Sequence, residues 1–317
     1  MASAIDILGI TGPIYLAIAL GYLCTRQGLF AKGDMQVFGK FTINLALPAL
    51  LFNALSQRSV SEILNPAYLL AYALGAMVMI GSGLFWARKI KGHSWSYSSM
   101  MAMGMSCPNS GFVGYPILLL SFGPVAGVAL ALNMVVENLL MIPLLLAVAD
   151  SDGGQHTRWN SVLWQTLKNL IQNPMIWGIA GGFLFSLSGW AMPAALGRTV
   201  NLFAQASAAL SLFVIGGSLV ALKVEGLQGT VTQIVVGKLL ISPLVMWGVV
   251  AWVVPIADPA LRSAVLLTGA LPMLGIYTIL SQRHGHGAVS AAALLVTTVL
   301  SFFTLSGLLW VLQSPPL

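Results

Sequence analysis

The sequence predicts an all-α polytopic membrane protein, with ten transmembrane helices arranged as two inverted five-helix repeats. The 317 residues are 58% hydrophobic and 7% charged, with a mean hydropathy of +0.90, whereas about a quarter of the residues of a soluble domain are charged. Ten mainly apolar stretches approach the roughly 20 residues that a helix needs to cross a bilayer. The fourth and the ninth stretch are broken by proline and glycine at matching places.

The ten predicted helices, called spans 1 to 10, alternate with short polar segments. Span 1 follows an N-terminus without the basic segment of a signal peptide, so we predict that it is retained. The longest polar stretch, residues 150–160, leaves five spans on either side. The spans lie at 5–24, 36–55, 66–88, 95–121, 125–149, 171–189, 199–222, 229–254, 259–282 and 287–312.

This division predicts a first repeat over residues 1–149, a linker over 150–172 and a second repeat over 173–317. Because each repeat crosses the membrane an odd number of times, two similar repeats must have opposite orientations. Within the linker, residues 158–172 are typical of an amphipathic helix that lies on the cytoplasmic membrane surface.

Lysine and arginine are concentrated in the segments that follow the odd-numbered spans. Basic loops stay on the cytoplasmic side, so we predict a multi-pass protein of the cell inner membrane with both termini outside the cytoplasm. The segments on the other side carry only three basic residues, Arg58, Arg198 and Arg262. The cytoplasmic set is Arg26, Lys32, Arg88, Lys89, Lys91, Arg158, Lys168, Lys223 and Arg283.

Several other functions are not predicted. The net charge of +6 comes from basic residues scattered singly between apolar runs, which is not the pattern of a nucleic-acid-binding surface. No acid pair, Ser–His pair, metal-ligand cluster or phosphate-binding motif occurs at a workable spacing in the sequence, so no enzyme, catalytic residue, metal or cofactor is expected. Cys24 and Cys107 are expected to be small core residues.

The breaks in spans 4 and 9 predict a substrate site. Both have the pattern Pro-x-x-Gly, and their prolines are offset by 164 residues, from 108 to 272. Proline removes an N–H and clashes with the preceding helical turn, and unpaired backbone is tolerated in a membrane only inside protein or beside a wet cavity. Matched breaks in inverted halves indicate a transporter site, and the helix ends after them favour anions; a kink that serves packing alone is the alternative. The predicted substrate-binding residues are Pro108, Asn109, Ser110, Gly111, Pro272, Met273 and Gly275.

The segment PNSGFVGYPI, the paired prolines and the ENLLMIPL run of span 5 resemble the auxin efflux carrier family, and the short linker is similar to that of a bacterial-type member. This resemblance implies two inverted repeats whose spans 4 and 9 cross at their prolines. It also implies a scaffold of spans 1, 2, 6 and 7 beside a transport domain of spans 3–5 and 8–10. Met273 and Leu274 stand where span 4 has Asn109 and Ser110, so the second break offers fewer polar side chains.

Other polar residues within the spans are further candidates. Glu137 is the one deep acidic residue, and the cost of a buried charge makes it a proton-carrier candidate or a structural glutamate. Lys238 is the one basic residue deep within a span. Three interpretations are open: it pairs with Glu137, it contributes to an anion path, or its ammonium group reaches the nearer interface. Asn44, Asn133 and Tyr277 are substrate-contact candidates, with interhelical hydrogen bonding or ordinary packing as the alternatives.

Together these features predict a secondary transporter that moves a small organic anion, a carboxylate, by alternating access at the crossing of spans 4 and 9. Membrane lipid is its surrounding partner. Proton or sodium coupling and a homodimer are left open by the sequence. The alternative functions are an anion channel, because broken helices also line pores, and a carrier-like sensor that binds without flux.

Overall fold

A computed structural model describes residues 4–153, 159–220, 222 and 228–313 of the chain. All regular elements in these ranges are helical, and several long helices contain a short π-helical segment. The main helices are α1 Ala4–Arg26, α2 Lys32–Ser56, α3 Pro66–Ile90, α4 Trp95–Ser106, α5 Ser110–Phe122, α6 Val125–Ala149, α7 Trp159–Gln172, α8 Pro174–Ser188, α9 Ala194–Leu219, α10 Gly229–Trp252, α11 Pro259–Ala270, α12 Tyr277–Arg283 and α13 Gly287–Gln313. Two short helical turns, Val60–Ile63 and Asp150–Gly153, lie between them.

The helix starts follow from local sequence signals. A side-chain oxygen caps the first turn of five of the described helices by accepting a hydrogen bond from a backbone N–H, which satisfies a group that has no partner within the helix. Three of these caps precede a proline, whose fixed φ suits the first helical position. The caps are Asn65 before α3, Ser94 before α4, Asn109 before α5, Asn173 before α8 and Asp258 before α11.

Among the described residues, seven helices are long and apolar enough to cross a membrane: α1, α2, α3, α6, α9, α10 and α13. The part of α7 from Trp164 meets α8 at an angle of 74°, and this bent pair forms an eighth candidate span. Helices α4, α5, α11 and α12, which flank the two breaks, are too short to be counted as candidate spans by themselves. These findings establish a multi-pass membrane protein.

Some helix ends differ from the prediction, because hydropathy does not detect helix caps or polar residues in the first turn of a helix. Span 6 was predicted from residue 171, but α8 begins at Pro174, where Asn173 caps it. Span 7 was predicted at 199–222, and α9 occupies Ala194–Leu219 instead. Two residues used for orientation, Arg158 and Lys223, lie outside the described residues, as do residues 154–158 of the predicted linker.

The helices pack in two groups. Helix α9 packs extensively against α1 and α2, and α8 packs against α2, whereas α3, α4, α6, α10, α11 and α13 contact one another around the breaks. Glycine permits the close approach of α1 and α9: a Cβ atom at Gly216 would lie 1.8 Å from the carbonyl oxygen of Ile18, and Gly21 approaches the carbonyl of Phe213 in the same way. Small residues at such contacts are common in membrane helix pairs.

Candidate functional site

The two breaks lie against each other. Helix α4 ends at Ser106 before α5 begins, and α11 ends at Ala270 before α12 begins. Between these ends, the Asn109 N–H donates to the Pro272 carbonyl at 2.8 Å, and the Leu274 N–H donates to the Cys107 carbonyl at 3.1 Å. Pro108 and Met273 thereby form an antiparallel bridge. Each break supplies hydrogen bonds that the other has lost, as backbone within a membrane requires.

Asn109 organises the start of α5. Its Oδ1 accepts a hydrogen bond from the Phe112 N–H at 3.1 Å, and its carbonyl accepts from the N–H groups of Val113 and Gly114 at 3.2 and 2.9 Å. A Cβ atom at Gly275 would lie 3.9 Å from the Nδ2 atom of Asn109. The Asn109 amide therefore caps one break and stands beside the second.

A cavity of about 410 Å³ opens beside the paired breaks. We name it the Glu137 cavity, because Glu137 is the single charged residue among its described lining residues. Helices α2, α5, α6, α9, α12 and α13 form most of its wall, together with Met175 of α8. Its principal lining residues are Gly39, Ile43, Leu47, Pro108, Asn109, Ser110, Gly111, Phe112, Met134, Glu137, Asn138, Val214, Ser218, Leu274, Gly275, Thr278, Leu294 and Thr298.

Glu137 is held by two hydroxyl groups on different elements. Its Oε1 atom accepts hydrogen bonds from the Tyr72 hydroxyl, at 3.0 Å, and from the Ser110 hydroxyl. Its side chain is buried, with 4% of the residue exposed. Glu137 thus joins α3, α6 and the first residue of α5 while also bordering the cavity.

Asn133 extends this network. Its Oδ1 accepts from the Tyr68 hydroxyl at 2.9 Å, and its Nδ2 donates to Thr268 Oγ1 at 3.1 Å and to Ser110 Oγ at 3.4 Å. Asn133, Tyr68 and Thr268 are all completely buried. Through these hydrogen bonds, Asn133 on α6 links α3, α5 and α11 to one another, behind the cavity wall.

Tyr68, Tyr72 and Thr268 were not predicted as site residues. The two tyrosines are four residues apart on α3, and Asn133 and Glu137 are four residues apart on α6, so each pair lies on one helix face. Both tyrosine bonds connect residues separated by 65 positions. In two parallel helices that pack side by side, facing residues are separated by a constant number of positions. The polar pairs on α3 and α6 have such a constant separation, and this spacing is visible in the sequence.

Lys238 is completely buried, and its Nζ donates to the Ser106 carbonyl at 3.2 Å. Ser106 is the last residue of α4, and a cation is favourable there because the end of a helix carries partial negative charge. The interpretation that Lys238 reaches the membrane interface is therefore wrong. Within the described ranges, the ion pairs closer than 4.0 Å do not include Lys238 with Glu137.

Sequence comparison gives the family. A family model described as "Membrane transport protein" matches residues 11–309. The chain belongs to this family. It is therefore a membrane transport protein, not an enzyme, and the resemblance to auxin efflux carriers is confirmed.

Three curated relatives illustrate this membership. A "Putative malonate transporter" of Rhizobium meliloti (strain 1021) is 27% identical over 315 residues, which cover 98% of this chain and 97% of the relative. The "Uncharacterized transporter YfdV" of Escherichia coli (strain K12) is 27% identical over 307 residues, covering 95% and 96%. "Auxin efflux carrier component 7" of Arabidopsis thaliana is 23% identical over 144 residues, covering 45% and 23%.

Not all predicted site residues of this membrane transport protein meet at the Glu137 cavity. Asn44 is exposed, donates to the Lys40 carbonyl at 2.7 Å and lines a separate cavity beside Trp177. Tyr277 is 1% exposed and packs towards α4, where a Cβ atom at Gly104 would lie 2.8 Å from its hydroxyl oxygen.

Pro272 and Met273 are buried within the paired backbone and are not among the described lining residues of the cavity. The structure does bring Pro108, Asn109, Ser110, Gly111, Gly275 and Glu137 together at its wall.

Proposed function

We propose that this chain is a secondary transporter that moves a small carboxylate across the cytoplasmic membrane by alternating access. The observation that carries the proposal is the pairing of the two breaks beside the Glu137 cavity, where backbone and side-chain polar groups converge. Broken helices that meet within the protein are typical of substrate sites in transporters. The similarity to a relative named for malonate supports a small carboxylate as the substrate class.

The proposed architecture is ten spans in two inverted repeats, with α4–α5 and α11–α12 as the fourth and ninth spans. In this arrangement α1, α2, α8 and α9 form the scaffold, and the helices around the breaks form the transport domain. The two packing groups of the fold support this division. The proposed topology places both termini outside the cytoplasm and Lys32 and Arg283 on the cytoplasmic side.

The proposed substrate site is the part of the Glu137 cavity nearest the breaks. The Ser110 and Gly111 N–H groups lie at the start of the helix Ser110–Phe122, and within the described ranges they donate to no backbone carbonyl. A carboxylate at this position accepts hydrogen bonds from such N–H groups, and the helix dipole favours its charge. The Asn109 amide beside Gly275 provides a further donor on the same wall.

Glu137 can couple substrate transport to proton movement. The carboxylate of the substrate and that of Glu137 repel each other unless one of them is protonated. We propose that Glu137 carries the coupling proton. The groups that face it are the Tyr72 hydroxyl on α3, the Ser110 hydroxyl on α5, the Cys107 thiol at the break and the Lys238 ammonium on α10. Lys238 supplies a positive charge from behind the break.

The test is transport of radiolabelled malonate into proteoliposomes. Asn109→Leu is expected to reduce flux to background, because it removes the cap of α5 and a donor at the cavity wall. Asn44→Leu is the matched control and is expected to retain flux, because Asn44 lies at another cavity. Flux by the parent should saturate with malonate concentration, as carriers do. Parental flux in Asn109→Leu would contradict the site, and non-saturating flux would favour a channel.

A further inference from the structure

A second cavity, of about 630 Å³, lies between four of the helices that border the Glu137 cavity. We name it the Arg58 cavity. Its charged lining residues are Arg58 and Glu62, which follow the end of α2. Its other lining residues are Leu50, Asn53, Ala54, Gln57, Tyr115, Leu119, Pro124, Gly127, Asn201, Ala204, Gln205 and Ala208.

The two cavities occupy successive stretches of the same helices. On α2, the Glu137 cavity extends to Leu47 and the Arg58 cavity begins at Leu50; on α9, the Arg58 cavity extends to Ala208 and the Glu137 cavity begins at Val214. Helices α5 and α6 show the same separation. With a rise of 1.5 Å per residue, the intervals on α2 and α9 correspond to about 5 and 9 Å. The two cavities therefore lie at successive levels along these helices, and we call the line through both of them the path.

The barrier between them consists of closely packed helices. In the intervals between the two cavities, Val113 on α5 and Leu130 on α6 are buried. On α9, Ser211 is completely buried at this level. Buried residues on these three helices therefore separate the two cavities.

Arg58 and Glu62 form an ion pair at the charged end of the path. Arg58 Nη1 lies 3.0 Å from Glu62 Oε2, and their side chains are 25% and 52% exposed. A hydrogen bond from Ser59 and the adjacent Arg58 charge hold the pKa of Glu62 below its ordinary value, so Glu62 is ionised at neutral pH. The Ser186 hydroxyl fixes the Arg58 carbonyl against α8. Among the described residues, the Arg58 guanidinium group donates to the Glu62 carboxylate through Nη1, which is one nitrogen of a group that carries five N–H donors.

We propose that the Arg58 cavity is a second anion site, which binds a small carboxylate at the end of the path opposite the Glu137 cavity. Arg58 is its recognition residue, and Glu62 competes with the ligand for the guanidinium group. The proposal rests on the transport function proposed above, because the path has a second opening only if the barrier opens during transport. In the proposed topology this opening faces outside the cell.

Charge-selective labelling tests the site without a known substrate. In the full-length chain with Cys24 and Cys107 replaced by serine, Ala208→Cys places a thiol in the Arg58 cavity, and Gln205→Cys is a second position. The measurement in intact cells is the ratio of labelling rates for anionic sulfonatoethyl methanethiosulfonate and cationic trimethylammonioethyl methanethiosulfonate.

Arg58→Gln should lower this ratio about three- to tenfold, as loss of a partly screened charge several ångströms away implies. Arg58→Lys should largely preserve it. Glu62→Gln should raise it by a similar factor, because it frees the guanidinium group. Arg262→Gln is the matched control, since exposed Arg262 is not among the described lining residues of either cavity. Equal ratios in the parent, Arg58→Gln and Glu62→Gln, or no labelling from outside, would overturn the proposal.

Malonate transport provides the functional readout. Arg58→Gln should raise the half-saturating concentration of external malonate about three- to tenfold, and Glu62→Gln should lower it. Neither change should alter half-saturation from the cytoplasmic side, measured in inside-out vesicles. Equal shifts from both sides would overturn the Arg58 site. By contrast, parental malonate flux in Asn109→Leu would contradict the site at the breaks while leaving the labelling ratios unchanged, so the two failures are distinguishable.

Discussion

Replacement of Asn133 by alanine should destabilise the fold far more than replacement of Asn44. Asn133 makes two good interhelical hydrogen bonds, to Tyr68 at 2.9 Å and to Thr268 at 3.1 Å, and it is completely buried. Interhelical hydrogen bonds in membrane proteins contribute about 0.6–1.7 kcal/mol each, so their sum is about 1–3 kcal/mol. Among the described residues, Asn44 bonds only within its own helix, and it is exposed, so its loss should cost below about 0.5 kcal/mol.

The assay is the free energy of unfolding, measured by SDS titration in mixed micelles. Thr268→Val and the double variant with Asn133→Ala complete a double-mutant cycle, which isolates the coupling between the two side chains. We expect a coupling of about 0.6–1.7 kcal/mol. A coupling near zero, or equal costs for Asn133→Ala and Asn44→Ala, would refute the role assigned to this network.

Three further predictions concern packing, topology and coupling. Gly216→Val should prevent α1 from packing against α9, and size-exclusion chromatography should show loss of monodisperse protein, whereas Gly9→Val should be tolerated because no atom lies within 4 Å of a Cβ there. Ser151→Cys, at an exposed position in the linker, should react only with reagents on the cytoplasmic side; reaction with an impermeant reagent in intact cells would reverse the topology. Glu137→Gln should abolish the response of malonate flux to a pH gradient, and an unchanged rate and pH response would leave Glu137 a structural residue.

The breaks could be predicted from sequence because proline and glycine act on the backbone directly. Pro108 and Pro272 at an offset of 164 residues identified two interruptions, and the structure shows that these interruptions contact each other. Glu137 could likewise be singled out, since a charged residue within an apolar run is costly wherever it lies.

It was harder to predict which face of each helix contacts a neighbouring helix. Asn44 and Asn133 are similar in sequence context, yet one is exposed and the other completely buried. Apolar runs lack the polar face that orients a helix in a soluble protein, so composition does not show which side meets a neighbour. For the same reason Tyr277 was assigned to the site although it packs against α4, and the Lys238 bond to Ser106 was missed. That bond depends on the packing of two helices far apart in the chain.

The most direct test of substrate binding at the paired breaks is to locate a bound carboxylate. Crystals of the purified protein soaked with bromomalonate would show the bromine by anomalous diffraction. The predicted peak lies in the Glu137 cavity, beside the N–H groups of Ser110 and Gly111 and the amide of Asn109. A peak only in the cavity that Asn44 and Trp177 line, with the Glu137 cavity lacking bromine at saturating concentration, would contradict binding at the breaks.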